Sequence, residues 1–170
     1  MIEIPRIEFN SKKEMYAIMN QAIHSLMTEE KNTLSNLCNI SGMMAMFLKD
    51  INWVGFYLLK DNELILGPFQ GKPACTRIKI GEGVCGRAVQ TKKSQRIDNV
   101  HAFPGHIACD SASNSELVVP LIKDQQVLGV IDIDSPLFSR FDQMDQEGIE
   151  ALSTIIVSHI EISSNGCIEL

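Results

Sequence analysis

The sequence has little positive charge and no long hydrophobic segment, which excludes two classes of partner. Of its 170 residues, 15 are Lys or Arg and 21 are Asp or Glu, so the net charge is −6. The only adjacent cations, Lys12-Lys13 and Lys92-Lys93, do not make the basic surface that a nucleic-acid backbone requires. No apolar run approaches the roughly 18 residues of a membrane span, and the start of the chain has no signal-peptide pattern. We therefore expect a cytoplasmic protein that binds neither nucleic acid nor membrane.

The five cysteines also lack the close C-x₂₋₄-C spacing that is typical of structural zinc sites. We expect no metal ion and no cofactor. In a reducing compartment these cysteines rest as thiols, so a disulfide would be transient and catalytic rather than structural. The composition, 45% hydrophobic and 21% charged, is that of an ordinary globular protein. It predicts a single domain over 1–170, with a core from about 11 to 162 and a frayed tail over 163–170.

Three of the cysteines, Cys75, Cys85 and Cys109, lie in predicted connections that are rich in glycine, proline and histidine. Such connections carry binding and catalytic residues more often than core residues do. A buried structural thiol is the alternative for each cysteine taken alone. Cys85 falls in the first turn of a predicted helix from Val84 to Thr91, where unpaired amides and the helix dipole favour a thiolate. The cluster therefore indicates thiol chemistry.

The hydrophobic periodicity predicts an α+β domain. A capping box at Ser11 begins the first helix, and Thr33 is expected to cap a second helix that continues to Asp50. Alternating strands follow, and Gly67-Pro68 is expected to end the second strand. A short helix, three further strands and a last helix capped by Asp142 complete the chain. We expect one antiparallel sheet of about six strands flanked by helices.

Carboxylates interrupt the most apolar of these strands. Asp132 and Asp134 are two residues apart, so both project from one face of the strand, and Glu116 opens the neighbouring strand of the same hairpin. Burying like charges side by side is costly unless a cation or a shared proton lies between them. A positively charged group is therefore expected there. The alternatives are a solvated turn at Asp134 and a hard cation such as Mg²⁺ or Ca²⁺.

Two aromatic residues share one face of the first predicted strand. Trp53 and Tyr57 flank Gly55, which has no side chain, so the pattern is compatible with a slot between two aromatic walls. The alternative is a pair of core residues packed over a strand glycine.

The chain resembles the GAF domains and, among them, the free methionine-(R)-sulfoxide reductases. The resemblance covers most of the chain, from about Ser11 to His159. The motifs that it shares with GAF domains in general are Gly81–Ala88, Arg96–Val100, Glu116–Pro120, Leu128–Asp134 and Phe138–Asp142. The motifs that it shares with the reductases are Trp53–Tyr57, Gly67–Cys75, Gly83–Cys85 and His101–Asp110.

The resemblance implies a role for each cysteine. Cys109 takes the position of the nucleophile, which attacks the sulfoxide sulfur and becomes a sulfenic acid. Cys75 takes the position of the usual resolving cysteine and Cys85 that of the third cysteine. Thioredoxin is the implied reductant of the resulting disulfide. Cys38 and Cys167 match no family position and are interpreted as a structural residue and a tail residue.

The resemblance also implies a binding site for free methionine-(R)-sulfoxide. Trp53 and Tyr57 take the positions that enclose the substrate methyl group. Glu116, Asp132 and Asp134 take those of the acidic pocket, and Glu116 is the expected proton donor to the departing oxygen.

Other functions stay open at this point. A stand-alone GAF sensor would bind a small molecule such as a cyclic nucleotide and act through a partner domain, and a redox sensor would regulate a partner through its disulfide. A homodimer is possible.

Asp110 is expected to raise the pKa of the adjacent Cys109 thiol. His106 is a candidate to offset this effect and favour the thiolate.

Overall fold

The computed structural model describes residues 9–107, 110–162 and 168. It shows one six-stranded antiparallel sheet with helices on both faces, which confirms the predicted α+β class. The helices are α1 (Lys12–Glu29), α2 (Thr33–Phe47), α3 (Gly83–Thr91) and α4 (Gln143–His159), with a 3₁₀ turn at Val100–Ala102. The strands are β1 (Trp53–Lys60), β2 (Glu63–Gly71), β3 (Arg77–Lys79), β4 (Gln95–Ile97), β5 (Ser115–Lys123) and β6 (Gln126–Ser135). None of the helices in these ranges is both long and apolar enough to cross a bilayer.

Local side-chain caps set the helix starts. The Ser11 side chain accepts a hydrogen bond from the Glu14 amide at the start of α1, as predicted. Asp142 forms a reciprocal capping box with Asp145 at the start of α4. The predicted cap of α2 is wrong, because Asn32 and not Thr33 accepts the bond from the Ser35 amide.

The predicted C-terminal end of α2 is also wrong. The helix stops at Phe47, and Leu48 has extended backbone. Leu48 is still only 4% exposed, so its apolar side chain reaches the core without being helical. The hydrophobic pattern therefore continued past the end of the helix.

The sheet order is β3-β2-β1-β6-β5-β4. The predicted end of β2 at Gly67-Pro68 is wrong, because the strand continues to Gly71. These two residues oppose Phe56 of β1 in a register shift, which is a β-bulge. On its other side β2 pairs with β3 only through residues 63–65. The absent Pro68 amide hydrogen therefore removes no ladder bond.

The sheet separates two hydrophobic clusters. Helices α2 and α4 pack against one face and α1 packs on these two helices, and Met19, Ile23, Met44 and Ile156 are fully buried in this cluster. The other face carries a smaller cluster that includes Val84, Ala88, Val118 and Val130. It is covered by α3, which contacts β5 and β6. The second face carries the groups described below.

A buried carboxylate ties α1 to α4 on the first face. Asp145 is fully buried and accepts bonds from Lys12 Nζ at 2.6 Å, Tyr16 Oη at 2.9 Å and an Arg140 guanidinium nitrogen at 3.1 Å. Beside this group, a Cβ on Gly148 would lie 2.3 Å from the Tyr16 ring. Gly148 therefore lets the two helices approach closely.

Candidate active site

The strand register brings the predicted pocket residues onto one face of the sheet. Trp53 of β1 lies opposite Asp134 of β6, and Asp134 lies opposite Glu116 of β5. Two residues along, Gly55 lies opposite Asp132. Directly opposed residues of an antiparallel sheet project to the same side. The three carboxyl groups therefore meet beside the first aromatic residue, on the face that α3 covers.

The three carboxyl groups are in an environment that favours their protonated forms. Glu116 and Asp132 are 5% and 6% exposed. Burial and the neighbouring Asp132 raise the pKa of Glu116 well above its ordinary value. Burial raises the pKa of Asp132 to about 6, and burial together with Asp132 also raises the pKa of Asp134. Within 9–107 and 110–162, no Lys or Arg forms an ion pair with any of them.

Cys85 lies in the first turn of α3, as predicted, but the expectation that this position favours a thiolate is wrong. Its side chain is 3% exposed, and its Sγ lies 4.0 Å from Glu116 Oε1. Burial, then Asp132 and Glu116, raise the pKa of the thiol well above its ordinary value. These effects outweigh the helix dipole, which contributes at most about 2 kcal/mol. Cys85 is a protonated thiol at neutral pH.

Of the other two cysteines of the cluster, the structure describes only Cys75. Cys75 is half-buried and unpaired in the connection between β2 and β3, and its carbonyl accepts a bond from Tyr57 Oη at 2.9 Å. Cys109 lies outside the described residues. Asp110, which follows it, lines the same cavity as Cys85 and the acidic groups.

The two remaining cysteines were assigned to structural and tail positions. Cys38 is unpaired and exposed on α2 and does not line the cavity, and its interpretation as a structural residue stays a prediction. Cys167 lies outside the described residues.

Trp53 and Tyr57 line the cavity, but the predicted slot between them is wrong. Their rings are tilted by only 24°, with centroids 5.9 Å apart. A methyl group between two rings needs about 7 Å, at 3.5–4.0 Å for each carbon contact. The space above Gly55 is occupied by Phe69, whose Cβ would lie 2.4 Å from a Cβ on that glycine. The two near-parallel rings pack against each other as one aromatic wall of the cavity, and the Phe69 ring stacks on Trp53 with the ring centroids 5.3 Å apart.

Hydrogen bonds attach the β2–β3 connection to this wall. The Trp53 indole nitrogen donates to the Lys72 carbonyl at 3.1 Å, and Tyr57 Oη donates to the Cys75 carbonyl. The aromatic residues therefore position the segment that contains Cys75 as well as facing the cavity.

Sequence reasoning missed a polar group at the cavity rim. The Asp110 carboxylate accepts bonds from Lys72 Nζ at 3.3 Å, from Asn52 Nδ2 at 3.3 Å and from the Ala112 amide at 3.0 Å. Asn52 also donates to Ser113 Oγ at 3.0 Å. The Ala112 amide and then Lys72 lower the pKa of Asp110. Asp110 is therefore ionised, with its charge balanced by Lys72. The sequence signals were the position of Lys72 inside the motif 67–75 and that of Asp110 at the end of the motif 101–110, but neither motif predicted the ion pair between the two residues.

His106 completes the polar lining. Its Nε2 lies 3.8 Å from Glu116 Oε2, and burial lowers the pKa of the imidazole. The cavity has a volume of about 30 Å³, which is room for one or two water molecules. Six of the eight predicted site residues line it, namely Trp53, Tyr57, Cys85, Glu116, Asp132 and Asp134. Cys75 is not among its lining residues, and Cys109 lies outside the described residues.

Comparison with known proteins identifies the family. A family model described as the GAF domain matches residues 43–161. The protein named free methionine-R-sulfoxide reductase in Escherichia coli is 53% identical over 142 residues, which cover 84% of this chain and 86% of that protein. The chain belongs to the GAF-domain family of free methionine-R-sulfoxide reductases.

Two further relatives agree with this membership. The free methionine-R-sulfoxide reductase of Saccharomyces cerevisiae is 44% identical over 154 residues, which cover 86% of each chain. The X-ray structure of the Neisseria meningitidis free methionine-R-sulfoxide reductase, solved in complex with its substrate, superposes with a TM-score of 0.88. It is 36% identical and covers 93% of this chain and 95% of that one.

Proposed function

We propose that this protein reduces free methionine-(R)-sulfoxide to methionine by cysteine chemistry. The observation that carries the proposal is the meeting of the buried carboxyl groups of Glu116 and Asp132, the half-buried one of Asp134, an aromatic wall and a cysteine-bearing connection at one cavity. Relatives named for this reduction, covering more than four fifths of the chain, support it.

The acidic groups would hold the substrate ammonium. Asp132 and Asp134 lie on one strand face without a Lys or Arg partner in the part of the chain that the structure describes. A free amino acid brings an α-ammonium to this position, whereas a residue within a peptide brings a neutral amide. A charge-assisted hydrogen bond stabilises a complex by about 1.5–3 kcal/mol. Charge would therefore select the free amino acid over the peptide.

Glu116 is suited to protonate the sulfoxide oxygen. Burial and the neighbouring Asp132 raise its pKa, which favours the protonated form that a general acid requires. The Cys109 thiolate would attack the sulfoxide sulfur while the oxygen takes a proton. The products are methionine and the Cys109 sulfenic acid, so the sulfur of the substrate is reduced and that of the cysteine oxidised.

The recycling steps need one further thiol group of this chain and an external dithiol. Condensation of the Cys109 sulfenic acid with the Cys75 thiol would release water and form a disulfide, and the dithiol of thioredoxin would then reduce this disulfide by exchange. Cys85 is poorly suited to attack the substrate, because burial and two neighbouring acids hold its proton. These properties support the assignment of the nucleophile to another cysteine.

The aromatic wall would select the epimer. If the substrate methyl group packs against Trp53 and Tyr57 while its oxygen faces Glu116, only one configuration at sulfur fits both contacts. By the family resemblance, this configuration is R.

The test is catalytic consumption of the free sulfoxide. Purified protein, thioredoxin, thioredoxin reductase and NADPH are mixed with either epimer of free methionine sulfoxide, and methionine is quantified by chromatography. We expect many turnovers with the R epimer and none with the S epimer. A protein that only binds a ligand or regulates a partner would leave both epimers unconsumed, and this result would overturn the proposal.

A further inference from the structure

Cys85, Glu116 and Asp132 form a compact cluster of sulfur and oxygen donors. One ligand atom from each of these buried residues lies within 4.8 Å of the other two. Cys85 Sγ lies 4.0 Å from Glu116 Oε1. The three residues come from α3, β5 and β6, so three separate elements of the fold converge on one point.

An unsatisfied oxygen points independently to a cation in this cluster. Asp132 Oδ1 is buried and has no hydrogen-bond partner within the described ranges, on a residue that is 6% exposed. Leaving a buried acceptor without a partner costs about 1–3 kcal/mol. A cation bound at Oδ1 would remove this cost.

The donor types favour one class of metal ion. Zn²⁺ accepts sulfur, nitrogen and carboxylate oxygen in a four-coordinate site, whereas Mg²⁺ and Ca²⁺ take six or more oxygen ligands. In a tetrahedral zinc site the ligand atoms lie about 3.5 Å apart, so small side-chain rotations bring the cluster to this geometry. The neutral imidazole of His106 lies next to Glu116 as a further donor, and a cavity of about 30 Å³ suits an ion with a water molecule.

We propose that the Cys85–Glu116–Asp132 cluster is an inhibitory Zn²⁺ site. Binding replaces the thiol proton of Cys85 and any proton held by the two carboxyl groups, and these protons pass to solvent without oxidation or reduction. The bound ion occupies the acidic groups that would receive the substrate ammonium and protonate the sulfoxide oxygen. Zn²⁺ and substrate therefore exclude each other. The binding claim stands on the geometry alone, whereas the inhibition claim rests on the proposed function.

The first experiment measures binding without turnover. A variant with Cys38, Cys75, Cys109 and Cys167 replaced by Ser retains Cys85 as its only thiol, and Zn²⁺ is titrated into it by calorimetry. We expect one ion per chain. Adding Cys85→Ser or Asp132→Asn should weaken binding at least tenfold, whereas Asp124→Asn, in the exposed β5–β6 turn, should leave it unchanged.

A second measurement covers the case in which the multiple variant does not fold. Cd²⁺ is added to the otherwise unmodified reduced protein and to its Cys85→Ser variant, and the ultraviolet charge-transfer absorbance of the thiolate–cadmium bond is compared. We expect the Cys85-dependent part of this absorbance to vanish in the variant. In Cys109→Ser, which cannot reduce the sulfoxide, we expect the same absorbance to fall when free methionine sulfoxide is added. Equal absorbance in both proteins would overturn the site.

The inhibition claim is tested separately. Zn²⁺ should raise KM for the free sulfoxide without lowering kcat, and the sulfoxide should release Zn²⁺ from the Cys85-only variant into a chromophoric chelator. The proposal is overturned if no zinc binds, or if zinc affinity is unchanged by both Cys85→Ser and Asp132→Asn. If zinc binds as expected but the protein does not reduce the sulfoxide, the proposed function fails and the metal site stands.

Discussion

Replacing Asp132 by Asn should change stability and function in opposite directions. The wild-type carboxyl group is buried and has a pKa of about 6 in the folded protein, against an ordinary value of about 3.9. At pH values above both of these pKa values, the difference between them corresponds to about 3 kcal/mol of destabilisation of the folded protein. Asn has nearly the same shape and does not ionise. The variant should therefore gain about 1–3 kcal/mol in free energy of unfolding relative to wild type at pH 8.

The sign of this effect depends on pH. Because folding raises the pKa of Asp132, the stability that its protonated form contributes is present below about pH 4 and is lost as the pH rises through about 6. The relative gain of Asp132→Asn should thus be small at pH 4 and largest at pH 8. The same substitution removes a charged partner of the substrate ammonium, which should raise KM by about tenfold to a hundredfold.

The assay combines urea unfolding at pH 4, 6 and 8 with steady-state kinetics on free methionine-(R)-sulfoxide. Asp124→Asn is the matched control, because Asp124 is an exposed turn residue and its replacement should change neither quantity. Equal destabilisation by Asp132→Asn at all three pH values, together with an unchanged KM, would refute the reasoning. That result would mean that Asp132 is a structural acceptor and not a group kept available for a cation.

Four further substitutions test other parts of the account. Cys109→Ser should abolish methionine release in a single turnover, whereas Cys75→Ser should still release about one methionine per enzyme; equal yields from the two variants would contradict the assigned roles. Trp53→Ala should lower kcat/KM by at least tenfold, and turnover of the S epimer by this variant would show that the ring contributes to epimer selection. Gly148→Ala should lower the free energy of unfolding by about 1–3 kcal/mol, because a Cβ would lie 2.3 Å from the Tyr16 ring. Its kcat should not change, since both residues lie on the face opposite the cavity.

Local sequence patterns predicted the start of a helix correctly where only one residue can cap it. The caps at Ser11 and Asp142 depend on side chains that reach amides only three residues away, so sequence spacing was sufficient. At the start of α2 two adjacent residues, Asn32 and Thr33, can both cap, and spacing did not choose between them. The extension of β2 through Gly67-Pro68 required knowledge of its partner strand, since a bulge opposite Phe56 accommodates both residues.

The positions of the acidic residues were predictable, because the side-chain period of two along a strand alone decides which residues share a face. Asp132 and Asp134 share a face for that reason, and Glu116 joins them through the hairpin register. The protonation of Cys85 was not predictable, because it depends on contacts with residues distant along the chain. The slot between Trp53 and Tyr57 was wrong for a similar reason, since Phe69 from the neighbouring strand occupies the space that spacing alone left open.

The most direct test of the central claim compares two substrates that differ in one charge. Free methionine-(R)-sulfoxide and its N-acetyl derivative share the side chain and the carboxylate, but only the free amino acid carries an α-ammonium. If the buried carboxyl groups form an ammonium site, kcat/KM for the free compound should exceed that for the acetylated one by about 10² or more. Equal kcat/KM values for the two compounds would contradict the account.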